Sequence, residues 1–553
     1  MRPDTLDPIT LEIWWSRLVA IADEAATALL RTSFSTVIRE SNDYVTVLMN
    51  ARGETIAECT LGIPAFAALV GRATRRILEA FPRETWREGD VVMTNDPWIG
   101  TGHLPDIVVI MPVFHAGRLV AFAGSAGHAP DIGGVFRGGP TELIEEGVLI
   151  PPVRLYRGGQ RNDDLVALFL ANIRQTDIVL GDIEAQVSAN QVCSRRAQEF
   201  LDDTGQADFE QLGAAIHDLA EKAMRDAIAA LPDGVYRASL EADGAETPTR
   251  IACAITIAGD HMSVDYAGSS PQVTHPINSV FNYTQAYTIY PLKCVLDPHS
   301  RRNEGSYRAV TVTAPEGSIL NPIFPAPVLA RHLTGHLLSC VLYRALAPIM
   351  PERVIADSGG APALRAHFAG QGGGGRFGQL LFASAGMGAS RGRDGLSTTA
   401  FPTNSGAGSI EALEAVSPLL FRRKEFRPDS GGAGRQRGGL GQDVEVANIT
   451  DTPIQLTLLG DRERHPALGL LGGGPGAPAS AVVSDGSMAA MKSRTVVAPG
   501  QSVTIRFAGG GGYGPPSERS AAAIAEDVRQ GFVTEEAAAR DYPAQVQTRE
   551  VIA

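Results

Sequence analysis

Cysteine is scarce in this chain: five residues in 553 (Cys59, Cys193, Cys253, Cys294, Cys340), scattered and never in a CxxC pair. That pattern excludes a disulfide framework and a thiolate zinc site, and the thiols are expected to be buried in a reducing compartment. Positive charge is not in excess either. A net charge of −13 argues against nucleic acid or an anionic membrane as the main partner, because both need a basic face. No apolar run approaches the roughly eighteen residues of a membrane span, and Met1-Arg2-Pro3-Asp4-Thr5 leads into no apolar signal region. The expectation is a cytoplasmic protein with no membrane partner. A GxxxxGK[ST] phosphate loop is also missing, so any ATP chemistry in the reaction is not supplied by such a loop here.

What is present is an ordinary soluble composition, 44% apolar and 20% charged, long enough for several packed domains. Asp7-Pro8 opens a helix whose Trp14, Leu18, Ile21, Ala25 and Leu29 recur at helical spacing. Thr36 to Asn50 reads as a strand interrupted by Glu40-Ser41-Asn42-Asp43, Ala67 to Phe81 as a helix, and Val91 to Asn95 as a strand. Asp163 to Asp202 is a long helical stretch with a break expected at Gly181. Short alternating strands occupy residues 235–265, and two further helices are expected over Asn282–Leu296 and Ala330–Ile349. A last charged helix runs from Ser520 toward Arg540. Helices mixed with antiparallel hairpins predict an α+β, multi-domain architecture with a glycine-rich β region near the C-terminus. The expected domains are 1–232 (carrying the site), 233–425, 426–516, and a helical tail 517–553.

One pattern occurs twice: His103-Leu104-Pro105-Asp106 and His128-Ala129-Pro130-Asp131. Ile107 to Phe114 (IVVIMPVF) and Leu119 to Ser125 (LVAFAGS) between them read as two strands joined by the turn His115-Ala116-Gly117-Arg118. A hairpin brings its two open ends together, so both His/Asp pairs arrive at one mouth. Taken singly, each Asp would cap a turn and each His would be a loop residue. Together, two imidazoles and two carboxylates are the N/O donor set that suits one divalent transition metal, Zn²⁺ or Mn²⁺. Glu40 and Asp43, charged where a core wants apolar residues, are candidates for a further ligand or a general base. Four protein ligands would fill a tetrahedral zinc and leave room on Mn²⁺. Asn95 and Asp96, in a loop near the same mouth, are candidates for orienting the ligands from behind.

Other motifs are weaker. Gly370-x-Gly372-x-x-Gly375 fits a dinucleotide fingerprint as a string, but apolar segments on both sides suggest a hairpin tip. Gly388-Ala389-Ser390-Arg391-Gly392 matches a nucleophile elbow without the helix that should follow. In Gly431 to Gly441 (GGAGRQRGGLG), Arg435 and Arg437 could hold an anion approached by the glycine backbone. Equally, the segment could be a φ-positive connection with solvated arginines.

Taken in order, Thr94–Asp106 (TNDPWIGTGHLPD), Ala126–Gly134 (AGHAPDIGG), Glu145–Pro152 (EEGVLIPP), Asp429–Gly439 (DSGGAGRQRGG) and Gly509–Pro516 (GGGGYGPP) make the chain resemble the hydantoinase B/oxoprolinase family. The resemblance implies the B-type subunit of a hetero-oligomer whose A-type partner, an actin-like ATPase, uses ATP to phosphorylate the carbonyl oxygen of a small cyclic amide: a hydantoin, 5-oxoproline or a lactam. The B-type subunit would then complete ring opening. It also implies a metal site on His103, Asp106, His128 and Asp131, with Glu40 in the segment of an acidic member. Where this chain has Glu40-Ser41-Asn42-Asp43-Tyr44-Val45, the family more often has an Arg and a Phe-Ser. Two other readings are a subunit of an acetone- or acetophenone-type carboxylase and a non-catalytic scaffold for the ATPase.

Overall fold

Asp7 starts the first helix as the sequence predicts: its carboxylate accepts the Ile9 and Thr10 backbone N–H groups, capping the helix, and α1 runs Pro8–Thr32. The computed structural model describes residues 6–135, 139–360, 364–373 and 375–545. They fall into two compact units, Met1–Val235 with Ala254–Gly335, and Tyr236–Cys253 with His336–Ala553. No helix among them is long and apolar enough to cross a membrane. Helices mix with antiparallel sheets throughout, which is the predicted α+β class.

In the first unit, the element order is α2 Thr36–Arg39, β1 Tyr44–Asn50, β2 Thr55–Glu58, α3 Pro64–Ala80, β3 Val91–Thr94, β4 Asp106–His115 and β5 Arg118–His128. Then come α4 Leu143–Glu146, β6 Val153–Arg157, β7 Gln160–Arg161, α5 Asp163–Leu170, α6 Thr176–Thr204 and α7 Glu210–Ala229. The strands form one sheet in the order β2-β1-β5-β4-β3-β6-β7. The β4–β5 hairpin is its centre. Ala116 and Gly117 both take positive φ (48° and 75°), as a two-residue hairpin turn requires.

Both faces of this hairpin are covered. A side chain added at Gly124 would meet Val70 of α3, whereas one at Gly127 would meet Gln186 of α6, and Ser125 Oγ donates to that same glutamine. Residues of β5 therefore meet helices on either face of the sheet. That is why IVVIMPVF is a continuous apolar run and not an alternating one. Pro112 is tolerated because β3 pairs only with Val108, Val109 and Ile110, so no ladder donor is required of it on that side.

Three expectations are corrected. Thr36 to Asn50 is not one strand: Ser35 Oγ accepts the Ile38 N–H and closes α2, and Asn42, at φ 52°, turns the chain into β1. The long helical stretch breaks at 171–175, not at Gly181, which stays inside α6 with the Phe34 ring against it. The charged tail is two helices, Ala521–Arg529 and Glu535–Asp541, parted at Gly531 (φ 72°).

The first unit also holds α8 (Phe281–Leu296), a helical turn His332–Gly335, and a small sheet. There His261–Asp265 pairs in parallel with Val310–Thr313 and antiparallel with Ala254–Ala258.

In the second unit, two four-stranded sheets share one core. Leu364–Gly372, Gly375–Ala383, Ile454–Gly460 and Lys492–Val497 form one sheet; Leu419–Phe426, Gln442–Asn448, Ser480–Val483 and Ser502–Arg506 form the other. Phe368, Leu381, Leu456 and Leu458 of the first meet Val444, Val446, Val503 and Ile505 of the second in one buried cluster. Gly370 and Gly372 pair with Phe377 and Gly375 across an antiparallel hairpin, as their flanks suggest. The glycines of 431–441 adopt no positive φ; they let backbone segments touch one another. A side chain at Gly438 would lie 1.9 Å from the Gly510 carbonyl oxygen, and the Gly432 N–H donates to that oxygen at 2.8 Å.

Candidate metal centre

Strand register places the first residues of the site. Asp106 is paired with His128 across β4 and β5, and Tyr44 with Gly127 across β1 and β5, which sets Asp43 beside His128 at the same sheet edge. The His128 N–H donates to the Asp43 carbonyl at 3.1 Å, and Asp43 Oδ2 lies 3.8 Å from His128 Nδ1. His103 arrives from the loop before β4. Its ring centroid is 5.1 Å from that of His128. His103, Asp106 and His128, all buried, offer ligand atoms within 4.8 Å of one another, the set among the described residues able to hold a metal.

Asp106 is the hub. Its Oδ1 lies 2.9 Å from His103 Nε2 and 2.8 Å from His128 Nδ1, and its Oδ2 accepts from Thr101 Oγ1 (2.7 Å) and Arg331 Nη2 (2.6 Å). Burial opposes its ionisation, but the groups around it, with the Arg331 guanidinium paired to Oδ2 among them, hold the carboxyl well below the usual carboxylate range.

The protonation of His103 decides what the cluster suits. Burial, with Arg331 adding to it, pushes the imidazole down to about 3, so the ring is neutral. Its Nδ1 faces the Leu329 carbonyl at 2.9 Å, and a carbonyl can only accept, so Nδ1 carries the proton. Nε2 is then a bare lone pair aimed at a carboxylate oxygen. It has no hydrogen-bond partner among the described residues. A buried orphan nitrogen facing a carboxylate fits a cation that both can bind, and the donor set of two imidazoles and a carboxylate suits Zn²⁺ or Mn²⁺.

Arg331, Thr101, Leu329 and Glu146 frame the hub, and no periodicity or motif in the chain points to their roles. Arg331 is 3% exposed, donates from Nε to the Thr101 carbonyl (2.8 Å), and lies 4.1 Å from the Tyr283 ring centre. Gly102, at φ 100°, makes room for it: an added side chain would lie 2.8 Å from Arg331 Cδ. Burial raises the Tyr283 hydroxyl to about 12, and Tyr287 stacks 4.3 Å away, so the wall of the site stays neutral. Glu146 Oε1 accepts the Val328 and Leu329 N–H groups at 2.6 and 2.7 Å, fixing the segment that presents the Leu329 carbonyl and Arg331. Glu146 lies in the EEGVLIPP stretch, one of those that carry the family resemblance.

Asp131 is not brought into the cluster: its carboxylate accepts the backbone N–H groups of Gly133, two residues on, and of Arg174 and Gln175 at the entry to α6. Glu40 caps the C-terminal end of α2, half-buried and outside the cluster. Asn95 donates to the Leu104 and Val148 carbonyls and accepts from Ile150, holding the loop that carries His103. Asp96 accepts the Trp98 N–H and closes a turn. In the second unit, Arg435 reaches Glu518 (3.2 Å), and the buried Arg437 lies 3.3 Å from Asp527 and donates to the Gly438 carbonyl. Both arginines are engaged with acids of this chain.

A family model described as Hydantoinase B/oxoprolinase matches residues 7–516. The chain is 31% identical to the beta chain of the caprolactamase of Pseudomonas jessenii, over 98% of this chain and 96% of the relative. It is 30% identical to a protein of Pseudomonas sp. (strain NS671) provisionally named as the B component of a D-/L-hydantoinase, over 99% of this chain and 96% of the relative. The crystal structure of the ATP-dependent caprolactamase from Pseudomonas jessenii superposes with a TM-score of 0.89 at 29% identity, covering 98% of this chain and 96% of that one. A nucleotide-free acetone carboxylase also superposes at 0.89, but at 21% identity, covering 97% of this chain and 79% of that one, a likeness of fold.

Proposed function

Because the chain belongs to the hydantoinase B/oxoprolinase family, we propose that it is the metal-holding B-type subunit of an ATP-dependent amidohydrolase that opens a cyclic amide. The substrate class is a hydantoin, 5-oxoproline or a lactam, and the partner is an A-type, actin-like ATPase that phosphorylates the amide carbonyl oxygen. The observation that carries the reading is the orphaned His103 Nε2 facing Asp106. The hydrolase branch is favoured over the carboxylase branch because the caprolactamase relative is matched at 31% identity over nearly full length, while the carboxylase likeness is one of fold.

In this reading His103, Asp106 and His128 hold one divalent ion, Zn²⁺ or Mn²⁺. Such an ion supplies Lewis acidity, which makes water acidic enough to act as a nucleophile near neutral pH. The protein's own groups do the rest. Leu329 fixes the His103 tautomer, and Arg331 and Thr101 fix the second oxygen of Asp106. Asp43, buried at the end of β1 beside His128, is the group placed to accept the proton of the attacking water. Glu40 lies further off, at the end of α2, and is the weaker candidate for that role.

The test is a coupled assay. Alone, the chain should not turn over ATP. Mixed with its cognate ATPase partner and a panel of hydantoins, 5-oxoproline and lactams, it should make phosphate release and ring opening proceed together. Ring opening by the partner alone, at the rate of the mixture, contradicts the assignment.

A further inference from the structure

A second cluster of charged side chains lies in the other unit, outside the proposed function. A cavity of about 330 Å³ opens between the hairpin residues 239–250 and the segments around Arg344, Asp357 and 462–468. That volume sits at the small end of ligand sites and exceeds what a bare ion needs. Four guanidinium groups line it, those of Arg250, Arg344, Arg462 and Arg464, against two carboxylates, Asp357 and Glu241. Within the lining the arginines outnumber the carboxylates by two, and the Asp243 and Asp461 carboxylates stand behind Arg464 and Arg462. Leu240, Pro466 and Leu468 supply an apolar stretch of wall.

The arginines are held in place by specific bonds. Asp357 takes Arg344 in a bidentate pair, Nε at 3.2 Å and Nη2 at 2.8 Å. Asp243 organises the loop below: its carboxylate accepts the backbone N–H groups of Glu463, Arg464 and His465 (2.7–3.0 Å), and its carbonyl accepts from Arg464 Nη2. Arg462 is 3% exposed and bonds through Nη2 to the Ser358 carbonyl at 3.0 Å. Its Nε is buried with no hydrogen-bond partner among the described residues. Arg462 also takes φ 71°, a conformation that side-chain-bearing residues seldom adopt.

We propose that this cavity is a binding site for a small organic phosphate monoester. The excess of arginines over carboxylates in the lining suits such a group, which carries close to two negative charges at neutral pH. The fork geometry of arginine suits its oxygens, and the Leu240–Pro466–Leu468 wall takes the carbon skeleton. Free phosphate shares the charge but leaves that wall uncovered.

The full-length chain titrated calorimetrically with glycerol 3-phosphate, inorganic phosphate and succinate tests this. Glycerol 3-phosphate should bind most tightly. Arg250→Gln and Arg464→Gln, at exposed rim positions, should each weaken it by about tenfold or more, the loss expected for one charge-assisted hydrogen bond. Arg464→Lys should recover part of it, and the metal content at His103 should be unchanged. Equal binding of inorganic phosphate makes the free ion the occupant and overturns the ester assignment. Succinate binding as tightly as either overturns the phosphate assignment. No binding of any of the three at millimolar concentration, or binding indifferent to both glutamine variants, overturns the site.

Discussion

His103 Nε2 and Asp106 Oδ1 lie 2.9 Å apart with no proton to place between them, because the one proton of the neutral ring is committed to the Leu329 carbonyl. Two lone pairs at that distance repel. The arrangement persists because β4, the loop before it and the 328–331 segment are each fixed by other bonds, and a cation held by both groups would relieve the repulsion.

Asp106→Asn separates the charge of the hub from its shape. The amide keeps the volume but no longer balances Arg331, 3% exposed and 2.6 Å away. Leaving one member of a buried ion pair uncompensated costs about 3–5 kcal/mol. The expected outcome is a lower denaturation midpoint together with loss of bound metal. Arg331→Met should show the same destabilisation with a smaller loss of metal, since the three ligands remain.

Asp131→Asn should behave differently. Its carboxylate serves three backbone N–H groups, two of them at the entry to α6, and not the cluster. Weakening those hydrogen bonds should lower stability by about 1–2 kcal/mol, read as a shift in the denaturation midpoint, with metal content retained. Loss of metal at full stability would return Asp131 to the ligand set.

Gly102→Ala tests the clearance at the back of the site. Alanine would have to hold φ 100° and push against Arg331, 2.8 Å from the added carbon. Strain of this kind costs of the order of 1–3 kcal/mol. Ring opening in the reconstituted complex should fall with it, because Arg331 can no longer seat against Asp106.

Glu146 gives a pH signature. Burial raises its carboxyl from 4.5 to about 8, against the opposing pull of the Leu329 and Val328 N–H groups and Arg331. A folded-state value above the unfolded one means the contribution to stability is complete below pH 4.5 and is lost as pH rises to about 8. Glu146→Gln keeps an acceptor for both N–H groups and cannot ionise. Unfolding curves from about pH 4 to 9 should show the wild type losing stability relative to the variant between those limits. Parallel curves would contradict the burial argument.

Much of this site could be read from the chain alone, and the reason is local. Two copies of His-x-Pro-Asp flanking a predicted hairpin must meet at its mouth, and the Asp106–His128 register is that meeting. The first helix and the α+β class followed from an Asp-Pro cap and from periodicity in the same way. Arg331 and the Leu329 carbonyl were invisible because they come from a distant segment, and a buried arginine or a backbone oxygen leaves no periodic trace. Asp131 was placed by pattern symmetry; three residues past the end of β5, the chain has already turned toward α6. Glu40-Ser41-Asn42-Asp43 looked like an interrupted strand because no sequence rule distinguishes one helical turn capped by Ser35 from extended chain.

The central claim is that His103, Asp106 and His128 hold one divalent transition metal. Elemental analysis of the purified chain beside His103→Ala, with melting curves for both, tests it most directly. The account predicts close to one Zn or Mn ion per wild-type chain, and loss of nearly all of it in the variant without collapse of the fold. A wild-type chain that binds no transition metal when offered one, or a variant that keeps its full complement, would contradict it.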